Sequence, residues 1–317
     1  MKILVYEWVS AGGMIGQHVP DALRRDGEAM AGALLDDLTG IPGTEVATVR
    51  GEDASPIDLP VAIRRATSPE ESLEHYRAFA RTSDAVWPIA PESDGLLARL
   101  VEIAGDSGAA LVGCSAGAVR TCSSKHATSA ALRAAAIPCV ATYRHGDAVP
   151  DAPGVWVIKP DDGAGCDDMF MVPGARDAAR YLARFPDRVA QPWMKGRAMS
   201  LSVLYRHTGA SLLACNRQHI EVARGKVALA GVDIDVATSR REAFERIAQQ
   251  IGLAIAGLSG FVGIDVVDAD DGPCVIEINP RLTLSYCGLS RAIGTNVAAL
   301  ALAPHRQSMR GALQAAV

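Results

Sequence analysis

Aromatic residues are scarce in this chain. Phe, Trp and Tyr make up 5% of its 317 residues, too few for the stacking platforms that hold single-stranded nucleic acids. There is no excess of positive charge either. The 31 Lys and Arg stand against 36 Asp and Glu, a formal net charge of −5, whereas a nucleic-acid partner requires a basic footprint. No run approaches 18 consecutive apolar residues, so no membrane span is expected. The apolar start MKILVY meets Glu7 too early to serve as a secretory segment. The seven cysteines (114, 122, 139, 166, 215, 274 and 287) contain no CxxC pair and are odd in number. Several sit in apolar surroundings, as reduced thiols do. A cytoplasmic protein acting on small molecules, without nucleic-acid or membrane partners, is expected. Two nucleotide signatures are missing as well. GxxxxGK[ST] does not occur, and GxGxxG fails because Asp168 occupies the last position of GAGCDD.

What is present, at 49% hydrophobic and 21% charged residues, suits a globular protein of two or three domains. Residues 2–9, KILVYEWV, read as a strand running into SAGGMIG. Residues 26–38 carry Met30, Leu34, Leu35 and Leu38 at helical spacing. EVATVR follows as a strand, 70–80 as a helix, DAVWPIAPE as a strand, 96–104 as a helix and AALVGC as a strand. Such alternation predicts a parallel α/β domain, in which ligands gather beyond the carboxyl ends of the strands. Glu7 and Glu92 lie at two such ends and are candidate substrate contacts; the alternative is a pair of solvated loop carboxylates. From residue 123 the pattern changes. A helix spans 123–136, strands GVWVIKP and MFMV flank a glycine-rich turn, a helix spans 177–185, and RVAQPWM is a strand. A long antiparallel hairpin then turns at Thr208–Gly209. Ser239 and Glu242 have capping-box spacing before another helix, and FVGIDVVDA and PCVIEIN form a hairpin around a DDG turn. This second part predicts an α+β architecture.

Two lysines stand out. Lys159 closes the apolar strand VWVIKP just before DDGAG, and Lys125 opens a helix. A lysine at a buried strand end is costly without an anion, and a glycine-rich turn offers N–H groups to phosphate. Gly113-Cys114-Ser115-Ala116-Gly117 matches the GxSxG nucleophile elbow, but five-residue matches arise readily in a chain rich in glycine and alanine. The acidic signal is stronger. In VIEINPRLTLSY, Glu277 and Asn279 alternate onto one face of a strand. The hairpin places Asp265 of the neighbouring strand close to them. Two carboxylates and an amide converging on one surface call for a hard cation, magnesium or manganese, which accepts oxygen ligands and shares substrate phosphates. In the competing reading Glu277 pairs with Arg281 and Pro280 starts a helix.

In chain order, Lys125 before a helix ending in IP, then VIKPDDGAG, AQPWMKG, GIDVV and VIEINPR, resemble the ATP-grasp superfamily of carboxylate–amine ligases over roughly residues 110–300. The resemblance implies an ATP-grasp fold preceded by a parallel α/β domain, α/β plus α+β. Residues 1–112 would form the N-terminal substrate domain, 113–194 the small subdomain with the lysines and glycine-rich loop, and 195–317 the large subdomain with the metal site. It further implies that Lys125 and Lys159 contact the phosphates of ATP. The loop from Asp162 to Asp168, with Gly163, Ala164 and Gly165, would close over them. Gln191, Pro192, Trp193 and Met194 would hold adenine. Asp265, Glu277 and Asn279 would bind Mg or Mn, and Arg281 would steady the transferred phosphoryl group, making it and Lys159 catalytic. Pro192 and Ala198 depart from the pattern, since acidic residues often stand at those places. YEWVSAGG, DGEAM, IAPESDGLL and EINPRLTLSYCGL are most similar to the tyramine–glutamate ligase family of methanofuran-type cofactor biosynthesis. That likeness implies ADP-forming joining of the γ-carboxylate of glutamate to tyramine or tyrosine, with Ser285 joining Glu7 and Glu92 as a substrate contact. Other amino-acid or dipeptide ligases, a nucleotide sensor without catalysis and a bicarbonate carboxylase remain as rivals. Assembly into a homo-oligomer is left open.

Overall fold

The computed structural model describes residues 1–163 and 168–315. Its first part alternates strand and helix: β1 (Lys2–Glu7), α1 (Asp21–Thr39), β2 (Glu45–Gly51), β3 (Val61–Ala66), α2 (Pro69–Ala80), β4 (Ala85–Ile89), α3 (Leu96–Asp106) and β5 (Ala110–Leu111). The strands pair in parallel in the order β3-β2-β1-β4-β5. Parallel strands connected by crossover helices are dry on both faces. Accordingly Leu4 and Tyr6 of β1 enter one core, and Ile3 and Val5 another. Two of the expected helices, α1 and α2, begin earlier than periodicity suggested, α3 begins at Leu96 as expected, and β3 was not expected. Its sequence VAIRRA carries two arginines, which suit an edge strand. The strand expected over 109–114 shortens to two residues because the chain turns at Gly113 into an unexpected helix, α4 (Ala116–Ser123). A strand, turn and helix therefore do surround Ser115. Its Oγ, however, caps α4 by accepting the Ala118 N–H at 3.2 Å.

The second part continues with α5 (Lys125–Ala134), β6 (Tyr143–Arg144), β7 (Trp156–Pro160), β8 (Phe170–Val172), α6 (Ala175–Arg184), β9 (Arg188–Pro192), β10 (Arg197–Arg206), β11 (Gly209–Ala223), β12 (Lys226–Asp233), α7 (Arg241–Ala254), β13 (Gly260–Ala269), β14 (Gly272–Asn279), α8 (Leu289–Ile293) and α9 (Val297–Ala315). Its strands form an antiparallel sheet in the order β14-β13-β10-β11-β12-β8-β7-β9-β6. The chain enters β10 through Gly196, where φ is +150° and a Cβ would come within 2.6 Å of Asp268 O. Only glycine fits that approach. The expected capping box at Ser239 does not form. Arg240 is tied to Asp268 and to the carbonyls of Ala269 and Asp270, and α7 starts after it without a side-chain cap. Pro280 likewise starts no helix; the next helical turn is Leu284–Tyr286.

The two sheets share their cores. Ile3 and Val5 cluster with Phe261, Leu282 and Tyr286. Asp37 of α1 accepts hydrogen bonds from Tyr286 Oη and Ser290 Oγ, both at 2.6 Å. No helix among the described residues is long and apolar enough to cross a membrane.

Candidate active site

The β13–β14 hairpin pairs Asp265 directly with Glu277, and Gly263 with Asn279. Because paired residues share a face, Asp265, Glu277 and Asn279 emerge together. Asp265 accepts hydrogen bonds from Asn279 Nδ2 at 3.1 Å and from Gln218 Nε2 at 2.9 Å. Burial, then the neighbouring Glu277 charge, push its carboxyl up to about 7 against the lowering effect of the two amides and Lys159. Glu277 moves the other way. Burial alone would raise it, but Lys125, Lys159 and Arg281 outweigh that and hold it below the usual carboxylate range. Two acids that share a site and are pushed apart in this way mark a functional centre more often than a structural one.

Both lysines are buried and both reach Glu277. Lys125 Nζ and Lys159 Nζ each lie 3.6 Å from Glu277 Oε2. Lys125 is set by the start of α5. Ser124 caps that helix and donates to Asp161 Oδ2, while Asp161 Oδ1 accepts the His126 N–H. Lys125 Nζ also donates to the carbonyls of Asp161 and Gly163, at the edge of the glycine-rich stretch. Lys159 comes from β7, whose residue Val157 pairs with Gln191 of β9. Side-chain alternation then puts Lys159 and Gln191 on one face. Gln191 is buried and donates to Thr142 Oγ1 at 2.9 Å, the Trp193 N–H goes to Val155 O, and Pro192, Trp193 and Met194 are half-buried. Ala164 and Gly165 lie outside the described residues.

The pairing of Glu277 with Arg281 anticipated as the competing reading does not occur as a salt bridge. Arg281 turns to the first part of the chain, where its Nη2 donates to Glu92 Oε2 at 3.0 Å and its Nε faces Glu92 Oε1 at the same distance. Glu92 is thus a buried ion-pair partner, and the reading of it as a solvated loop carboxylate is set aside. The same holds for Glu7. Its carboxylate accepts the N–H groups of Val9 and Ser10, Gly27 packs so closely that a Cβ would lie 2.7 Å from Oε2, and burial pushes it up. Ser285 is buried in a chain of hydroxyls, 3.0 Å from both Ser202 and Thr283.

Among the described residues no three His, Cys, Asp or Glu side chains group as a metal site. The candidate donor set is instead two carboxylates and an amide. It fits a hard divalent cation on its chemistry: all three offer oxygen, and the burial and neighbouring Glu277 charge that raise Asp265 are what such a cation would offset. Gln218, which orients Asp265, went unnoticed in the sequence, although Asn216 and Gln218 alternate as amides along β11. The residues that tie the glycine-rich stretch to the first domain also escaped notice. Ser93 Oγ donates to Asp162 O, and the Asp94 N–H to Asp162 Oδ2 at 2.9 Å.

Comparisons with known proteins follow the same outline. Residues 122–285 match the model of an ATP-grasp domain, and residues 44–119 that of a pre ATP-grasp domain. The tyramine–L-glutamate ligase of Methanocaldococcus jannaschii is 27% identical over 208 residues, 63% of this chain and 56% of the relative. That of Methanocaldococcus fervens is 27% identical over 213 residues, covering 65% and 61%. The match thus spans less than two thirds of either relative's length. An ATP-grasp superfamily protein from Archaeoglobus fulgidus superposes with a TM-score of 0.74 at 25% identity, covering 96% of this chain and 88% of that one. An L-amino acid ligase from Bacillus licheniformis shares the fold at 15% identity, with a TM-score of 0.65 and coverage of 95% and 73%. With more than half of its length matched by the domain model and the lysines, carboxylates and arginine gathered at one end of the hairpin, the chain belongs to the ATP-grasp family.

Proposed function

We propose that the protein is an ADP-forming carbon–nitrogen ligase that couples a small-molecule carboxylate to an amine. The finer reading is the γ-carboxylate of glutamate joined to the amine of tyramine or tyrosine. The observation that carries the reaction class is the shared anion at Glu277. Two buried lysines 3.6 Å from one carboxylate oxygen, beside a second carboxylate, form a site built for a polyanion accompanied by cations. The names of the two curated relatives support the substrates.

A carboxylate is a poor electrophile, and attack on ATP brings two anions together. In this reading the substrate carboxylate oxygen bonds to the γ-phosphorus, the bond to ADP breaks, and an acyl phosphate results. The amine nitrogen then bonds to the acyl carbon and phosphate leaves with the electron pair. Of the two protons the ammonium group loses, one stays on phosphate and one goes to water. Lys125 and Lys159 would hold the phosphates, and Arg281 would neutralise charge on the transferred group, the preorganised electrostatics on which phosphoryl transfer depends. Asp265, Glu277 and Asn279 would hold Mg or Mn, which supplies further charge neutralisation when bound. The stretch opening at Asp162 and Gly163 would keep water from the acyl phosphate, and Gln191 to Met194 would line the adenine site. In this reading residues 1–112 contribute to substrate binding, 113–194 carry the lysines and 195–317 the metal ligands.

The test is ADP release over a matrix of carboxylates and amines with magnesium or manganese. Turnover confined to glutamate with an arylalkylamine establishes the finer reading. Turnover with other pairs overturns it while leaving the reaction class, and no ADP release with any pair overturns the class.

A further inference from the structure

The Arg281–Glu92 pair is an odd object at a phosphoryl-transfer site. The guanidinium proposed to meet the phosphoryl group already has a carboxylate in front of it, at 3.0 Å through two separate atoms. Glu92 is 5% exposed, and among the described residues neither Glu92 Oε1 nor Arg281 Nε completes a hydrogen bond. The two groups face each other as charges but are not locked as a fully bonded fork, the arrangement that would make such a pair strong. An acyl phosphate arriving at Arg281 brings more negative charge than Glu92 offers and can displace it. Once displaced, Glu92 is a buried carboxylate without a cation, a state that normally recruits one. The cation the reaction supplies at that moment is the ammonium group of the second substrate.

The position of Glu92 favours the same exchange. It follows β4, at the carboxyl end of the parallel sheet where ligands gather. The turn it leads into is fixed at its other end to Asp162: Ser93 Oγ donates to Asp162 O, and Asp94, held at φ +55°, donates its N–H to Asp162 Oδ2. One short turn therefore touches both Arg281 and the residue that opens the glycine-rich stretch.

Resting on the ligase reading above, we propose that Glu92 is the amine-binding group of this site, kept on Arg281 until an acyl phosphate takes the guanidinium from it. Glu92 thereby selects a cationic amine as second substrate and orders its binding after activation of the acid.

The test compares two nucleophiles on wild type, Glu92→Gln and Glu92→Asp, with ATP, magnesium and L-glutamate. Tyramine arrives as an ammonium ion; hydroxylamine is largely uncharged near neutral pH and traps the acyl phosphate as a hydroxamate. Glu92→Gln is expected to raise the KM for tyramine about 30-fold or more, with a penalty at least tenfold larger for tyramine than for hydroxylamine. Glu92→Asp, which keeps the charge, is expected to recover part of the tyramine KM. Equal penalties with both nucleophiles would make Glu92 a clamp between the two domains and overturn the inference, as would an unchanged tyramine KM in Glu92→Gln. Failure of the wild type to form hydroxamate or ADP with any acid overturns the ligase reading itself, and this inference with it.

Discussion

Replacing Glu277 by glutamine tests the centre of the site. The side chain keeps its shape and loses the charge that two lysines approach at 3.6 Å. Lys125 is 5% exposed and Lys159 6%, so water compensates neither well. Removing one partner of a buried ion pair costs about 3–5 kcal/mol. An amide oxygen still accepts one hydrogen bond, which places the expectation at the lower end, about 3 kcal/mol. With an unfolding entropy of about 2.1 cal/mol/K per residue over 317 residues, that loss lowers Tm by roughly 4–5 °C. The catalytic consequence is separate. If Glu277 helps hold the cation on the triphosphate, ADP release falls by about 10²-fold or more, roughly 3 kcal/mol of transition-state stabilisation. Both quantities are measured on one preparation, Tm by scanning fluorimetry and ADP release well below Tm. A lowered Tm with the wild-type rate refutes the metal-ligand role and leaves Glu277 a counter-ion to the lysines. A wild-type Tm refutes the electrostatic reasoning, because the lysines would then not depend on it.

Lys159→Ala is expected to reduce the rise in Tm caused by ATP with magnesium at least by half; an undiminished rise would place the phosphates elsewhere. Ser115→Ala is expected to cost about 1 kcal/mol through loss of the α4 cap and to leave ADP release within a few-fold, whereas a loss of several orders of magnitude would revive a serine nucleophile. Glu7 has a pH signature of its own. Its carboxyl is raised in the fold by burial, so its stabilising contribution is complete below the ordinary glutamate value and is lost as pH rises through the raised one. Glu7→Gln should remove that part of the decline in Tm with rising pH, and superimposable profiles would refute the assignment.

The candidate site residues were legible because each breaks a local rule. Lys159 at the end of an apolar strand, and Glu277 and Asn279 alternating onto one face of another, are costly unless a partner compensates them, and that cost is visible in twelve letters of sequence. The DDG turn then brought Asp265 to this segment by antiparallel register, and a β-bulge between Asp265 and Val266 set it opposite Glu277. What stayed hidden depends on contacts between distant segments. Arg281 was offered Glu277 as a partner because the two are four residues apart, but it pairs with Glu92, separated from it by 189 positions. β3 hid because an edge strand with two arginines has neither the hydrophobicity of its neighbours nor their alternation. The Ser239 capping box failed because Arg240 is drawn to the β13–β14 turn, a tertiary preference that outweighs a local one.

The acids explain how this site can exist before any ligand arrives. Lys125, Lys159 and Arg281 sit close together and largely out of water, an arrangement that would repel itself if nothing opposed it. Glu277 stands between the two lysines, and Glu92, from another domain, stands against Arg281. Asp265 is held by the amides of Asn279 and Gln218, and burial and the Glu277 charge push it up to about 7. A bare triphosphate would satisfy the lysines but would drive its own charge against Asp265 and Glu277. The same residues that stabilise the ligand-free fold thus favour a nucleotide that comes with a divalent cation. In the proposed reaction an acid paired with an ammonium ion would fit the same balance, since each anion added would bring the cation that the displaced carboxylate needs.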